Sequence, residues 1–197
     1  MRLSTVLSAC QLVLMTTHVL DRALLRLGVR RAAAAITALA VLLSTGWEQQ
    51  VLTNCAVYPE ALLAVAVSAW MCRRRPVGRA LLAAAIGGLA AWGMLSAWPN
   101  ASEQGMLVGL PAAVAAMTLP NAREALLCAV LAPIVCGLAT AMQDWYLFDM
   151  FYLRLGSAVQ LDAILFAATA LLLRQGFPAA RRADGMPDHP VEAQQKA

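Results

Sequence analysis

The sequence has 197 residues, of which 61% are hydrophobic and 13% charged, and its formal net charge is +4. Soluble domains contain about 25% charged residues, so this composition excludes an ordinary soluble globular protein. The basic residues cluster between apolar segments and form no basic face with interleaved aromatic residues, which argues against nucleic-acid binding. The sequence therefore predicts an all-α, polytopic transmembrane helix bundle whose partner is the lipid bilayer.

Seven apolar segments are predicted to be membrane-spanning helices, because each is close to the length that crosses a hydrocarbon core of about 30 Å. In chain order they cover residues 3–20, 32–47, 57–72, 80–98, 106–119, 125–142 and 155–173. The first follows Met1 and Arg2 and precedes four arginines, the reverse of the charge order in a cleaved signal peptide. We therefore predict a retained first helix, a bundle over residues 1–175 and a disordered cytoplasmic tail over 176–197.

The basic residues also predict the orientation of the chain. With the N-terminus outside, thirteen of the 15 Lys and Arg residues fall in cytoplasmic segments, and only Arg2 and Arg154 are external. Trp47, Trp98 and Trp145 then lie at the external ends of helices, where aromatic residues form a belt. We predict a multi-pass protein of the cytoplasmic (cell) membrane.

Two acidic residues and one aromatic segment are assigned to the external side. Glu48 and Glu60 are predicted to be solvated carboxylates near the outer ends of the second and third spans. The aromatic segment from Trp145 to Tyr152 fits two arrangements: a segment lying along the outer surface, or the beginning of a long seventh helix.

The first span carries a polar stripe. Successive residues of a helix advance by about 100°, so Ser4, Ser8, Gln11, His18 and Arg22 share one face. Unsatisfied polar groups are costly in lipid, so this face is predicted to point into the bundle or a wet cavity. The stripe fits hydrogen bonds between helices or a solute pathway, and His18 is expected to be solvated near the cytoplasmic interface.

Asp162 is the most unusual residue of the seventh span, because it lies about 10 Å below the predicted outer boundary. A carboxylate at that depth needs a partner or a proton, so Asp162 is either a proton or cation site or a hydrogen-bonded structural residue. Gln11 lies about 12 Å below the same boundary in the first span. We therefore predict that the first and seventh helices are neighbours and that Gln11 hydrogen-bonds Asp162.

The sequence contains no motif that indicates catalysis. H-E-x-x-H, G-x-S-x-G, P-loop and G-x-G-x-x-G patterns are all missing from it, so we predict neither an enzyme nor a cofactor. Its five cysteines form no C-x-x-C pair, which favours structural thiols over a metal site, and Cys55 is expected to be a free thiol in an external loop.

Several features together resemble a known family. Arg30 and Arg31 lead into the apolar residues 32–44, Tyr58 and Glu60 open the third span, and the multi-pass layout extends to Leu173. This arrangement resembles the YphA-type family of small membrane proteins of spore-forming Gram-positive bacteria. The resemblance implies a multi-pass protein and no site residue, because the family has no established biochemical function.

Two functions fit these features. A structural or accessory membrane protein would use small residues such as Ala83, Gly87 and Ala91 for helix packing. A small-solute or ion-coupled transporter would use the polar stripe and Asp162. We expect the first, and an aqueous cavity reaching Asp162 would favour the second. The sequence identifies no protein partner and no oligomeric state.

The tail is predicted to be dispensable for folding. The chain after Pro178 is polar and contains further prolines, so it offers no apolar face for docking. Truncation after Pro178 should leave expression and the midpoint of thermal unfolding nearly unchanged. A large drop in either would show that the tail packs on the bundle.

Overall fold

The computed structural model describes residues 3–17, 20–27, 34–36, 38–39, 49–52, 54–73, 76–100 and 104–176. Most of these residues are helical, as predicted. The helices and strands with defined bounds are α1 (Leu3–Thr16), α2 (Asp21–Leu27), β1 (Gln49–Leu52), β2 (Cys55–Val57), α3 (Pro59–Cys72), α4 (Gly78–Ala97), α5 (Gln104–Met117), α6 (Ala122–Phe148), β3 (Leu153–Leu155) and α7 (Ala158–Gly176).

Three helices are long and apolar enough to cross a membrane: Gly78–Ala97, Ala122–Phe148 and Ala158–Gln175, in α4, α6 and α7. The shorter helices α3 and α5 are also apolar. Together these helices indicate a membrane-associated protein. Of the predicted second span, the structure describes residues 34–36 and 38–39, which are helical, and the predicted tail lies outside the described residues from position 177 onward.

The first predicted span is not one continuous helix. The helix α1 ends at Thr16, and the Thr17 hydroxyl donates a hydrogen bond back to the Val13 carbonyl at 3.0 Å, a side-chain bond that competes with regular helix geometry. The chain then forms α2, on which Ala23 and Leu24 are buried against Leu172 of α7. The first part of the predicted basic loop after the first span is therefore a packed helix.

One predicted arrangement of the aromatic segment, the beginning of a long seventh helix, is wrong, and the other, a segment along the outer surface, stays a prediction. Residues from Trp145 to Phe148 are the last turn of α6, which runs six residues beyond the predicted end at Met142. The helix ends at Asp149, whose φ of 54° is left-handed, a conformation that Asp tolerates better than most residues. The prediction failed because no helix-breaking residue separates Met142 from Phe148.

The all-α prediction is wrong in one detail, a three-stranded sheet of order β1-β2-β3. The first two strands are antiparallel, and β2 pairs with β3 in parallel, with Ala56 opposite Arg154. Ala56 is fully buried, and the Tyr58 amide donates to the Leu155 carbonyl at 2.9 Å. The sheet therefore connects the beginning of α3 to the beginning of α7.

The helices α4 and α6 pack closely because glycine removes the side chain between them. A Cβ on Gly88 would lie 2.6 Å from the Cβ of Val135 and 2.7 Å from the Ala132 carbonyl oxygen. Further along both helices, the Trp92 indole N–H donates to the Gln143 amide oxygen at 2.8 Å. The order of these contacts shows that α4 and α6 run in the same direction.

The Gly88→Ala substitution should lower the free energy of unfolding by about 1 to 3 kcal/mol, because the new methyl group meets a neighbouring backbone that cannot move aside. Gly93→Ala is the matched control on the same helix, since a Cβ there has open space. The control should be neutral or stabilise the protein by up to about 1 kcal/mol. Thermal unfolding in detergent measures both, and equal midpoints for the two variants would contradict the described packing.

Candidate functional site

The first polar contact of the bundle joins α1 to α7. Gln11 is only 6% exposed, and its Nε2 donates to the Thr169 hydroxyl at 2.7 Å, while that hydroxyl donates to the Leu165 carbonyl at 2.6 Å. One helical turn earlier, Leu7 packs against Leu161 and Leu165. The two helices are therefore neighbours that run in the same direction, as predicted.

The predicted hydrogen bond between Gln11 and Asp162 is wrong. Gln11 lies level with Thr169, which is seven residues or about 10 Å further along α7 than Asp162. The prediction placed Leu3 and Leu155 at the same depth. In the structure Leu155 belongs to β3 and α7 begins at Ala158, so the two helices are offset along their common direction.

Asp162 packs instead against α5. A Cβ on Gly105 would lie 2.6 Å from the Asp162 Cβ and 3.4 Å from its Oδ2. Near the other end of both helices, the Arg174 guanidinium donates to the Met117 carbonyl at 2.5 Å, so α5 and α7 also run in the same direction. The Asp162 carboxylate thus lies beside the first turn of α5, at the end of the helix whose dipole favours a negative charge.

The rest of the predicted polar stripe lies beyond what the structure describes. This applies to His18 and to the side chains of Ser4, Ser8 and Arg22. Gln11 is therefore the one predicted stripe residue whose environment is known.

Glu60 is buried, so the prediction of a solvated carboxylate is wrong. Its side chain is 2% exposed in the first turn of α3. The cause is the sheet, which brings Gly156 against Tyr58 and Ala61 and covers this end of α3. Gly156 has a φ of +89°, so glycine is favoured there by its backbone as well as by the lack of space.

Gln160 is a buried polar residue that the sequence did not single out. It is 6% exposed, and its Oε1 accepts a hydrogen bond from the Gly156 amide at 2.6 Å. Its Nε2 occupies the space where Gly137 of α6 lacks a side chain. A glycine on one predicted span and a glutamine near the start of another were visible in the sequence, but nothing there indicated that they meet.

A cavity of about 170 Å³ lies among α1, α2, α3, α6 and α7, and Ala34 and Ala38 of the predicted second span also line it. Its walls are apolar, with residues such as Leu24, Val67 and Ile164, apart from Gln11 and Ser68. Gln11 is hydrogen-bonded to Thr169, and the Ser68 hydroxyl donates to the Val65 carbonyl at 3.0 Å. Both polar groups therefore have protein partners, and the cavity suits a hydrocarbon group better than an ion.

The helix face that lines this cavity continues toward the sheet. On α3, Glu60 lies one turn before Ala64 and two turns before Ser68, and on α7, Gln160 lies one turn before Ile164. The buried polar residues Glu60 and Gln160 therefore sit at one end of the faces that enclose the cavity. This periodic pattern on α3 is a signal from which sequence reasoning could have found the burial of Glu60.

Within the described part of the chain, no group of three or more His, Cys, Asp and Glu residues could hold a metal ion. The five cysteines, all of them in described residues, form no disulfide bond; Cys72, Cys128 and Cys136 are buried, and Cys55 is half-buried in β2.

No family model, curated protein or solved structure matches this chain. The resemblance to the YphA-type family therefore stays a prediction, and the site has to be judged from its own geometry.

The pairing of Gln11 with Thr169 can be tested by cross-linking. In a variant without native cysteines, the pair Gln11→Cys and Thr169→Cys should react with a short thiol cross-linker, because the two side chains are in contact. The pair Gln11→Cys and Asp162→Cys is the control and should react poorly. Gel mobility after cleavage of the α1–α7 connection reports the link, and the reverse preference would contradict the described register.

Proposed function

We propose that this chain is a seven-pass protein of the cytoplasmic membrane with a structural or accessory role, its N-terminus outside and its tail in the cytoplasm. The observation that carries the proposal is that three glutamine side chains of the bundle bind other protein groups. Gln11 binds Thr169, Gln160 binds the Gly156 amide, and Gln143 binds Trp92. The bonds of Gln11 and Gln143 join separate helices, as hydrogen bonds do in a packed membrane bundle, and the bond of Gln160 fixes the turn before α7.

The directions of the helices support seven crossings. The end of α3 meets the beginning of α6, where the Cys72 thiol contacts the Arg123 carbonyl at 3.4 Å, so these two helices are antiparallel. The helix α7 is also antiparallel to α6, because Gln160 meets Gly137 while Leu171 clusters with Ala129. Since α1 runs with α7, it also runs with α3. A return of the chain across the bundle between α1 and α3 is the role that we propose for residues 32–47.

The surroundings of Asp162 support the structural role over a transporter. A transporter would use the polar stripe of the first helix together with Asp162, and Asp162 lies beside Gly105 in the first turn of α5. Asp162 lines neither the apolar cavity nor the groove between α4 and α5 described below.

Reporter fusions test the proposed topology. Fusions after Arg182 and between residues 28 and 31 should report the cytoplasm, and fusions at Thr53 and between residues 100 and 105 should report the exterior. The two fusions on either side of residues 32–47 are decisive. If both reported the same side, the second span would not cross and the count of seven would be wrong.

A flux measurement tests the role. Vesicles containing the purified protein and a pH-sensitive dye should lose an imposed proton gradient no faster than vesicles without protein, and Asp162→Asn should change nothing. A faster loss that is abolished by Asp162→Asn would show that this carboxylate moves protons, and the structural or accessory role would be overturned.

A further inference from the structure

A long apolar groove runs between α4 and α5 on the outside of the bundle. It has a volume of about 720 Å³, which is within the range of about 300 to 1,000 Å³ usual for ligand pockets. Its walls include Leu82 and Ile86 of α4 and Leu110 and Val114 of α5. Each of these side chains is at least half exposed. In a membrane, apolar side chains that remain exposed on a helix contact the hydrocarbon chains of lipids.

The charge in this groove is confined to one end. Arg79 lines the groove beside Thr118 and Pro120, and the opposite end is formed by Met94 and Leu110. From Arg79 to Met94 the helix rises about 22 Å, longer than half of a hydrocarbon core of about 30 Å. The groove therefore has the length of one lipid chain with a single cation at its end.

Arg79 also differs from other arginines near this end of the bundle. The Arg123 guanidinium donates to the Leu27 carbonyl at 2.9 Å, and Arg174 donates to the Met117 carbonyl. The Arg79 side chain is exposed, and nothing in the described ranges binds it. Its positive charge is thus available to a ligand at the mouth of the groove.

We propose that this groove binds an anionic phospholipid of the inner leaflet, with the phosphate beside Arg79 and one acyl chain along α4 and α5. Basic residues at the cytoplasmic ends of membrane helices recognise anionic headgroups in this way, and the apolar groove supplies the contact for the chain. The inference rests on the proposed membrane orientation, which places the beginning of α4 at the cytoplasmic side. A second copy of the chain is the competing occupant, and the confinement of the charge to one end of an apolar groove favours the lipid.

The test uses the full chain purified in detergent and titrated with phosphatidylglycerol or phosphatidylcholine, with the midpoint of thermal unfolding as the signal. Phosphatidylglycerol should stabilise the protein at lower concentrations than phosphatidylcholine. Arg79→Gln should weaken the binding of phosphatidylglycerol about fivefold and leave that of phosphatidylcholine unchanged. Arg73→Gln is the matched control, because Arg73 is also exposed, at the end of α3, but lies outside the groove. The control should bind both lipids as the native chain does.

A second pair of variants tests the groove itself. Ala90→Phe places a ring in the groove and should weaken both lipids, whereas Leu89→Phe on the same helix lies outside it and should weaken neither. Equal losses in Arg79→Gln and Arg73→Gln would show general attraction by surface charge and overturn the proposal. A change from dimer to monomer in Ala90→Phe with unchanged lipid binding would also overturn it in favour of a second copy. Because these measurements are made in detergent, they stand apart from the reporter fusions, so a wrong topology and a missing lipid site are distinguishable.

Discussion

The close approach of helix backbones is the constraint on which the rest of the bundle depends. Between helices in lipid there is little hydrophobic driving force, so contact area has to come from small residues that let backbones meet. Gly88 against Ala132 and Gly105 against Asp162 are such points. Around them the interior consists largely of alanine, with Ala84, Ala112 and Ala129 nearly inaccessible. Because these side chains are so small, the contacts between two helices depend more on their relative position along the helix axis than on side-chain volume. Each pair of helices therefore has a defined register.

That register decides which polar residues meet. Gln11 contacts Thr169 because α1 and α7 are offset along their common direction, and Asp162 contacts Gly105 because of the register between α5 and α7. A polar side chain in such a bundle has few alternative partners, so each hydrogen bond also helps to fix the offset that produced it. Packing and hydrogen bonding are therefore mutually dependent here.

The sequence predicted what depends on the local composition of the chain. The helices α3, α4 and α5 lie within two residues of the predicted spans 57–72, 80–98 and 106–119, because long apolar runs end at charged or helix-breaking residues. It could not predict the partner of Gln11, which depends on where α7 begins. It also missed the sheet, since strands of three or four residues are too short to show a period. The error at Glu60 follows from that omission, because the sheet covers the beginning of α3.

The sheet has a consequence for the order of assembly. Parallel strands need a crossover connection, and between β2 and β3 that crossover consists of the four helices from α3 to α6. The strand β3 is synthesised only after α6. The strand β2 can therefore pair with β3 only after most of the bundle has been synthesised. A chain that stalls before that point keeps one edge of the β1–β2 hairpin open, with unpaired N–H and C=O groups that can pair with another chain. Closure of this edge thus marks a chain in which the helices from α1 to α6 have been made, and an open edge distinguishes a chain that stalled before β3.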